Sequence, residues 1–409
     1  MNTSKYLSRI KREEQPDKTS RRPVVLTFVR HYLPGFRSGG PVRTVSNMVN
    51  ALGDEIEFRI VTLDRDATDI QPYPGVKQDV WQPVGKAMVK YVHPGSNFLR
   101  KWIKELNETD YDFLYLNSLF DKYFTIFPLL AHRMVGKNKG KIILAPRGEL
   151  STGALALKAW KKRAFLTFAK MSSFYRGVTW HASSHDEASL IRAHFQPEVI
   201  HIAKNLPAMH NYELTDTYGF DEGSPLRIIF LSRITRMKNL DFALQVIKKC
   251  NIKIQFDIYG VVRDEEYWEH CRKIISCIPE NIRVCYHGEL DHSKVYEVLS
   301  GYDLFFLPTR GENYGHVIAE ALTIGLPVLI SDQTPWHGLQ ENGVGWALPL
   351  HQPEAFANAI REAREMLKQD AVGWRKRVRE YAREIVMDDG LIEANRRLFL
   401  LENKKSEIS

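Results

Sequence analysis

Residues 304–328 read LFFLPTRGENYGHVIAEALTIGLPV, and the order of residue types in that stretch decides the fold. Leu304 to Leu307 is a short apolar run that predicts a buried strand, closed by Pro308. A Gly-containing loop follows and carries Glu312. A helix is predicted to start near Tyr314 or Gly315, with Asn313 as its cap. Backbone N–H groups at such a start, helped by the helix dipole, can hold a diphosphate. Glu320, a turn or two into that helix, can accept hydrogen bonds from the paired hydroxyls of a ribose, and Glu312 from those of a sugar. Spacing alone carries little. The E-x7-E pattern occurs as Glu289/Glu297, Glu312/Glu320 and Glu354/Glu362, and only the middle pair sits on a strand, Gly loop and helix.

Outward from this stretch the same alternation repeats. Arg227–Leu231, Gln255–Tyr259, Arg283–Tyr286, Leu304–Leu307 and Pro327–Ile330 read as strands with helical segments between them. An earlier series reads Val24–Val29, Glu57–Leu63, Phe113–Asn117, Lys141–Ala145 and Val178–His181, with a helix over Pro41–Leu52. Two successive βα series predict an α/β protein with two doubly wound parallel sheets facing a cleft. Ligands then bind in the loops at the carboxyl ends of the strands. The chain divides accordingly into a disordered basic segment 1–22, a first domain 23–210, a second domain 211–385 and a C-terminal helix 386–409 that can pack back on the first domain.

The length of 409 residues suits two domains of about 200 residues each. No apolar run reaches the roughly 18 to 20 residues that span a bilayer, and the N-terminus lacks the apolar segment of a signal peptide. Cys250, Cys271, Cys277 and Cys285 form no CxxC pair, which predicts neither a disulfide framework nor a zinc site. The net charge of +8 is uneven: +13 over residues 1–206 and −5 over 207–409. A basic first domain points to an anionic partner.

A second element joins the Glu312 loop. After the strand at 227–231 come Ser232-Arg233-Ile-Thr-Arg-Met-Lys238-Asn. Two cations on a strand-to-helix loop suit a diphosphate and can stabilise a departing nucleoside diphosphate without a metal. With both motifs in hand, the second domain resembles the C-terminal half of GT-B-fold retaining glycosyltransferases of family four. The resemblance implies that Arg233 and Lys238 bind the donor diphosphate, that Glu312 with Asn313, Tyr314 and Gly315 binds the donor hexose, and that Glu320 binds the ribose. It places Gly260 and Leu290 near the nucleotide. It implies no cofactor and no metal ion. It implies a nucleoside-diphosphate sugar as donor, with a UDP-sugar expected from the frequency of such donors, and it implies retention of configuration.

In the first domain, Gly39-Gly40 opens a helix after the first strand. The resemblance turns that loop toward the donor phosphates. Many relatives carry a histidine where this chain has Asn117, so Asn117 is expected as a polar positioning residue. Leu144-Ala-Pro-Arg147-Gly-Glu-Leu and His181-Ala-Ser-Ser-His-Asp-Glu187 resemble a bacterial subgroup that builds lipopolysaccharide, capsule or other surface polysaccharide. From Ser151 to Gly177 there are six basic residues and no acid, interleaved with Leu157, Trp160, Phe165 and Phe168. Such a segment can lie on an anionic membrane or form an ordinary half-buried helix. No nucleic-acid motif is present.

The expected function is transfer of a hexose-type sugar to a glycan or lipid-linked acceptor, in the cytoplasm at the inner face of the membrane. Two other classes stay open: a nucleotide-sugar epimerase of GT-B-like fold, and a non-catalytic nucleotide-sugar-binding protein. Asp64-Arg-Asp66 matches the DxD pattern by which another class of glycosyltransferase holds a metal ion, and it is the residue-level form of a metal-dependent reading.

Overall fold

The computed structural model describes residues 21–95, 97–136, 140–156, 159–208, 219–386 and 389–400. Two sheets organise it. The first contains β1 (Val24–Phe28), β2 (Glu57–Leu63), β3 (Trp81–Val84), β4 (Ala87–Val92), β5 (Phe113–Leu116), β6 (Lys141–Leu144), β7 (Thr179–Ala182) and β8 (Val199–Ile202). Their spatial order is β3-β4-β2-β1-β5-β6-β7-β8. The second contains β9 (Leu226–Leu231), β10 (Ile254–Tyr259), β11 (Ile282–Tyr286), β12 (Leu304–Leu307), β13 (Val328–Ser331) and β14 (Gly345–Leu348), ordered β11-β10-β9-β12-β13-β14. All pairings are parallel except that of β3 with β4.

Central strands such as β1, β5, β12 and β13 are buried along their whole length, because helices cover both faces of a parallel sheet. The chain order reverses at β1 in the first sheet and at β9 in the second, so the loops after those strands open at the two switch points. Helix α1 (Gly40–Leu52) follows the first of these. Pro41 sits in its first turn, where a missing N–H is harmless, and Val42, Val45, Met48, Val49 and Leu52 form its buried stripe.

The sequence pattern does not reveal β3, β4, β8 or β14. The β3–β4 pair is the short antiparallel hairpin Trp81–Val92, turning on Gly85 at φ 57°. β3 has no buried residue and β4 alternates buried with half-buried positions before ending buried, so no continuous apolar run marks the pair. The expected domain boundary at 210/211 lies outside the described residues, as does most of the segment 1–22, of which Arg21 pairs with Asp112 at 2.7 Å.

After β14 the chain is helical. A long helical segment, Pro353–Val386, is kinked at Asp370. A last helix, Asp389–Arg397, lies on the first domain. Asn395 donates to the Lys204 carbonyl at 2.8 Å and Arg396 to Glu55 at 2.6 Å. Just beyond it, the Phe399 ring packs edge-on against Phe58, Phe113 and Tyr115. The C-terminus thus ties the second domain's chain to the core of the first.

Within the basic segment, the helix Ala159–Met171 buries Leu166 and Ala169. Phe165 packs on Phe120, Phe174 and Tyr175 and belongs to the core. Trp160, Phe168 and Met171 face outward, exposed at 72%, 58% and 82%. Leu157 lies outside the described residues.

Candidate active site

The loops at the carboxyl ends of both sheets face each other across a cleft of about 1000 Å³. Gly39, Gly40, Arg147, Arg233, Lys238, Gly260, Leu290 and residues 312–315 all line it. The site is built from two walls.

The second-domain wall starts at β12. Glu312 follows that strand, its N–H bound to the Gln333 carbonyl at 3.0 Å. The helix α2 (His316–Thr323) then begins at His316, later than expected, and Gly315 caps it in a left-handed conformation (φ 80°, ψ 62°). A side chain at 315 would meet Ile318 at 2.7 Å and Glu312 at 3.1 Å, so the turn requires glycine. Asn313 is therefore not the cap. The Ser183 hydroxyl of the opposite domain donates to its Oδ1 at 3.0 Å. Gly315 O accepts from the N–H groups of Ile318 and Ala319, which leaves those of His316 and Val317 ahead of the first intrahelical acceptor. The Tyr314 carbonyl accepts from the Trp336 indole, which fixes the loop from behind.

The charges on this wall fall into two kinds. Lys238 Nζ is ion-paired with Glu312, and Arg43 Nη1 from the first domain donates to both carboxylate oxygens of Glu320 at 2.7 and 2.8 Å. Glu320 is buried. Its carboxyl is held below its ordinary pKa because Arg43, with His292 at 3.4 Å, outweighs desolvation. Arg233 is different: among the described residues its guanidinium makes no hydrogen bond or ion pair. It is hemmed in by protein yet open to the cleft, and desolvation, opposed by Glu312, lowers its pKa. A side chain on Gly39 would come within 3.8 Å of Arg233 Nε, so the Gly39-Gly40 loop faces this free cation.

Gly260 lines the cleft for a steric reason. A β-carbon there would lie 1.8 Å from the Ser232 carbonyl, and its N–H is already bound to Gly288 O at 2.7 Å. It brings two loops together and does not offer a free donor. Leu290 presents an apolar, partly buried side chain at the cleft's edge.

On the first-domain wall, Asn117 does not line the cleft. It is 8% exposed and lies behind Arg147, whose Nε and Nη2 donate to Asn117 Oδ1 at 3.1 and 2.9 Å. Asn117 is expected as a polar positioning residue, and its carboxamide is turned onto the guanidinium of Arg147. Arg147 also donates to Asn205 Oδ1 at 2.6 Å and to the Tyr115 hydroxyl. Tyr115 in turn bonds His181 Nδ1 at 2.8 Å, and His181 Nε2 bonds the Ala203 carbonyl at 2.9 Å. Burial pushes the His181 pKa down to about 3, so the ring stays neutral and serves as an acceptor for Tyr115.

The walls are joined. Beyond Arg43–Glu320 and Ser183–Asn313, Thr44 Oγ1 meets His316 Nε2 at 2.9 Å and Arg37 pairs with Glu289 at 2.9 Å. Burial and then Arg43 push the His316 pKa down to about 3.

The DxD pair does not form a metal-diphosphate site. Asp64 is fully buried and accepts from Arg65, Gln78 and His93 at 2.8, 2.7 and 3.1 Å. Asp66 accepts from the N–H groups of Phe36, Arg37 and Ala67 at 2.7 to 2.9 Å. Both carboxylates fold the loops behind Gly39. A cluster without a sequence signal brings Asp257, Cys285 and His287 together on one sheet face, since Asp257 and Cys285 are register partners. Asp257 is already saturated there, with His287 at 2.9 Å on one oxygen and Gln255 and Tyr302 at 2.6 and 3.0 Å on the other.

This geometry now meets the known proteins. Residues 217–385 match the family described as "Glycosyl transferases group 1". A Klebsiella pneumoniae protein described as an uncharacterised 41.2 kDa protein in the cps region is 23% identical over 236 residues, 56% of this chain and 63% of that one. The chain thus spans less than two thirds of that relative's length. Among solved structures, sucrose-phosphate synthase from Thermosynechococcus elongatus superposes with a TM-score of 0.67 at 16% identity, covering 93% of this chain and 98% of that one. Anabaena HepE, in complex with UDP and glucose, gives 0.64 at 15% identity over 92% and 98%. The fold is GT-B, and its second domain carries the group 1 glycosyl transferase match.

Proposed function

We propose that the chain is a glycosyltransferase that moves a hexose-type sugar from a nucleoside-diphosphate donor, a UDP-sugar, to a hydroxyl of a glycan or lipid-linked acceptor in surface-polysaccharide synthesis. The observation that carries this reading is the free Arg233 guanidinium at the cleft, between the Gly39-Gly40 loop and the paired Lys238 and Glu312. In this reading the diphosphate lies on Arg233, Lys238 and the first N–H groups of α2. Glu312 takes hydroxyls of the sugar, and Glu320 exchanges Arg43 for the ribose. The bond from the anomeric carbon to the phosphate oxygen breaks and its electron pair goes to that oxygen. The acceptor oxygen forms the new bond on the same face and its proton passes to the phosphate. The charge on the leaving diphosphate is met by Arg233 and Lys238, so no metal is required.

The group 1 match and the cps-region relative support the reaction class and the polysaccharide setting. The HepE complex supports a uridine donor. The outward Trp160, Phe168 and Met171, flanked by exposed Lys161, Arg163 and Lys170, support contact with an anionic membrane. Among the described residues no helix is long and apolar enough to cross a membrane.

A panel of nucleoside-diphosphate sugars tests the donor site by thermal shift. A ligand at 100 times its dissociation constant stabilises by about 2.7 kcal/mol, enough to raise the melting temperature by a few degrees. UDP-sugars are expected at the top of the panel. No shift from any nucleotide sugar would count against the reading.

A further inference from the structure

No sequence motif gives Arg147 a task of its own, and its surroundings are unusual for an arginine. Its backbone is left-handed, with φ at 56°, a conformation that residues other than glycine, asparagine and aspartate seldom adopt. Such backbone persists where surrounding contacts over-determine it, and it clusters at binding and catalytic sites. Here the contacts are visible. Asn117 Oδ1, Asn205 Oδ1 and the Tyr115 hydroxyl hold four N–H groups of the guanidinium, and Tyr115 is held by His181.

Each of those acceptors is neutral. Among the described residues no carboxylate bonds Arg147, and one N–H on Nη1 has no partner. Buried or half-buried cations are ordinarily paired. This one is gripped by neutral oxygens that fix its position, with no carboxylate among the described residues in direct contact. Beside it, the Nδ2 of Asn117 is a buried donor with no acceptor. Asn117 lies behind Arg147 and outside the cleft lining, so it is the open N–H of Arg147 that marks where an anionic oxygen is missing.

The location narrows which oxygen. Arg147 lines the cleft, and its neighbour Gly148 sits against Asn313, the residue after Glu312; a β-carbon on Gly148 would lie 3.0 Å from it. The Arg147 charge is also among those that keep His316 neutral, and His316 opens α2. So Arg147 lies on the first domain close to the helix start, and it lines the same cleft as Arg233.

We propose that Arg147 is a catalytic residue, which binds the terminal phosphate of the nucleoside-diphosphate donor from the first domain. This rests on the nucleotide-sugar reading of the cleft and adds the wall from which the second half of the cation clamp comes. Arg233 and Lys238 hold the diphosphate from below. Arg147 meets the oxygen that receives the electron pair as the sugar leaves, and Asn117, Tyr115, Asn205 and His181 position it.

A comparison of UDP with UMP tests this on the full chain, since only UDP carries the terminal phosphate. Isothermal titration of Arg147→Ala is expected to show UDP affinity reduced by about tenfold or more, with UMP affinity as in the wild type. Arg147→Lys keeps a point charge without the fork and is expected to lose less. A merely structural role would move both nucleotides alike. Equal losses for UDP and UMP, or no loss for UDP, overturn the proposal while leaving the cleft a nucleotide site. A wild-type chain that binds neither nucleotide overturns the nucleotide reading itself, and this inference with it.

Discussion

Lys238 on the second-domain wall and Arg147 on the first are held by opposite means. On the second-domain wall, Lys238 is neutralised by Glu312, and Glu320 is neutralised by Arg43 reaching across. On the first-domain wall, Arg147 is held only by neutral oxygens. Paired charges are inexpensive to keep in an empty cleft but must be parted when a ligand arrives. A cation held by neutral acceptors needs no parting and is ready for an anion. The difference teaches where preorganisation lies: Arg147 on the first domain is fixed by neutral oxygens and joins the unpaired Arg233 of the second, whereas Lys238 and Glu320 must first part from their partners.

Both walls are sealed by one buried neutral histidine, His181 on the first and His316 on the second, and acid is the way to break them. Each has a folded pKa of about 3 against an ordinary value of 6.5. The unfolded chain therefore binds more protons as pH falls below 6.5, and stability declines from there toward pH 3. Between about pH 7 and about pH 5 each histidine should remove about 2 kcal/mol. Urea denaturation at the two pH values checks this. His181→Asn should remove its own share, about 2 kcal/mol, from the dependence, and an unchanged slope would place the neutral ring elsewhere.

A smaller effect sharpens the comparison on the outer face of the first domain. Binding to vesicles containing phosphatidylglycerol should fall several-fold when Trp160 and Phe168 are both changed to Ala, and should weaken as salt rises. Equal binding by the variant, or equal binding to neutral vesicles, would make that face an ordinary solvated surface. The melting temperature should not fall, because both rings are largely outside the core.

Legibility in the sequence follows the same division. The second wall is readable because its residues lie on a short continuous stretch: a buried strand, a glycine loop and a helix carry Glu312, which lines the cleft, and Glu320, which is buried against Arg43. Even there the cap falls two residues later than expected, at Gly315 in place of Asn313, in a left-handed conformation where Ile318 and Glu312 leave no room for a side chain. The first wall is assembled from residues far apart in the chain. Tyr115, Arg147, His181 and Asn205 sit on four separate loops or strands, so no local pattern announces them. Asn117 is found by its place at a strand end, but its direction depends on Arg147. The positive φ of Arg147 has no sequence signal at all. Asp64 and Asp66 show the reverse error, a spacing that resembles a metal motif and folds as two loop anchors.

Transfer chemistry in the cleft is the central claim. The direct measurement is release of UDP from a UDP-sugar by the purified chain, with and without a lipid-linked or glycan acceptor, compared with Glu312→Ala and Arg233→Ala. Acceptor-stimulated release that falls by about a hundredfold or more in both variants, and that survives EDTA, is the predicted result. Turnover that needs added manganese, turnover equal in the variants, or binding without turnover across donors and acceptors would contradict it.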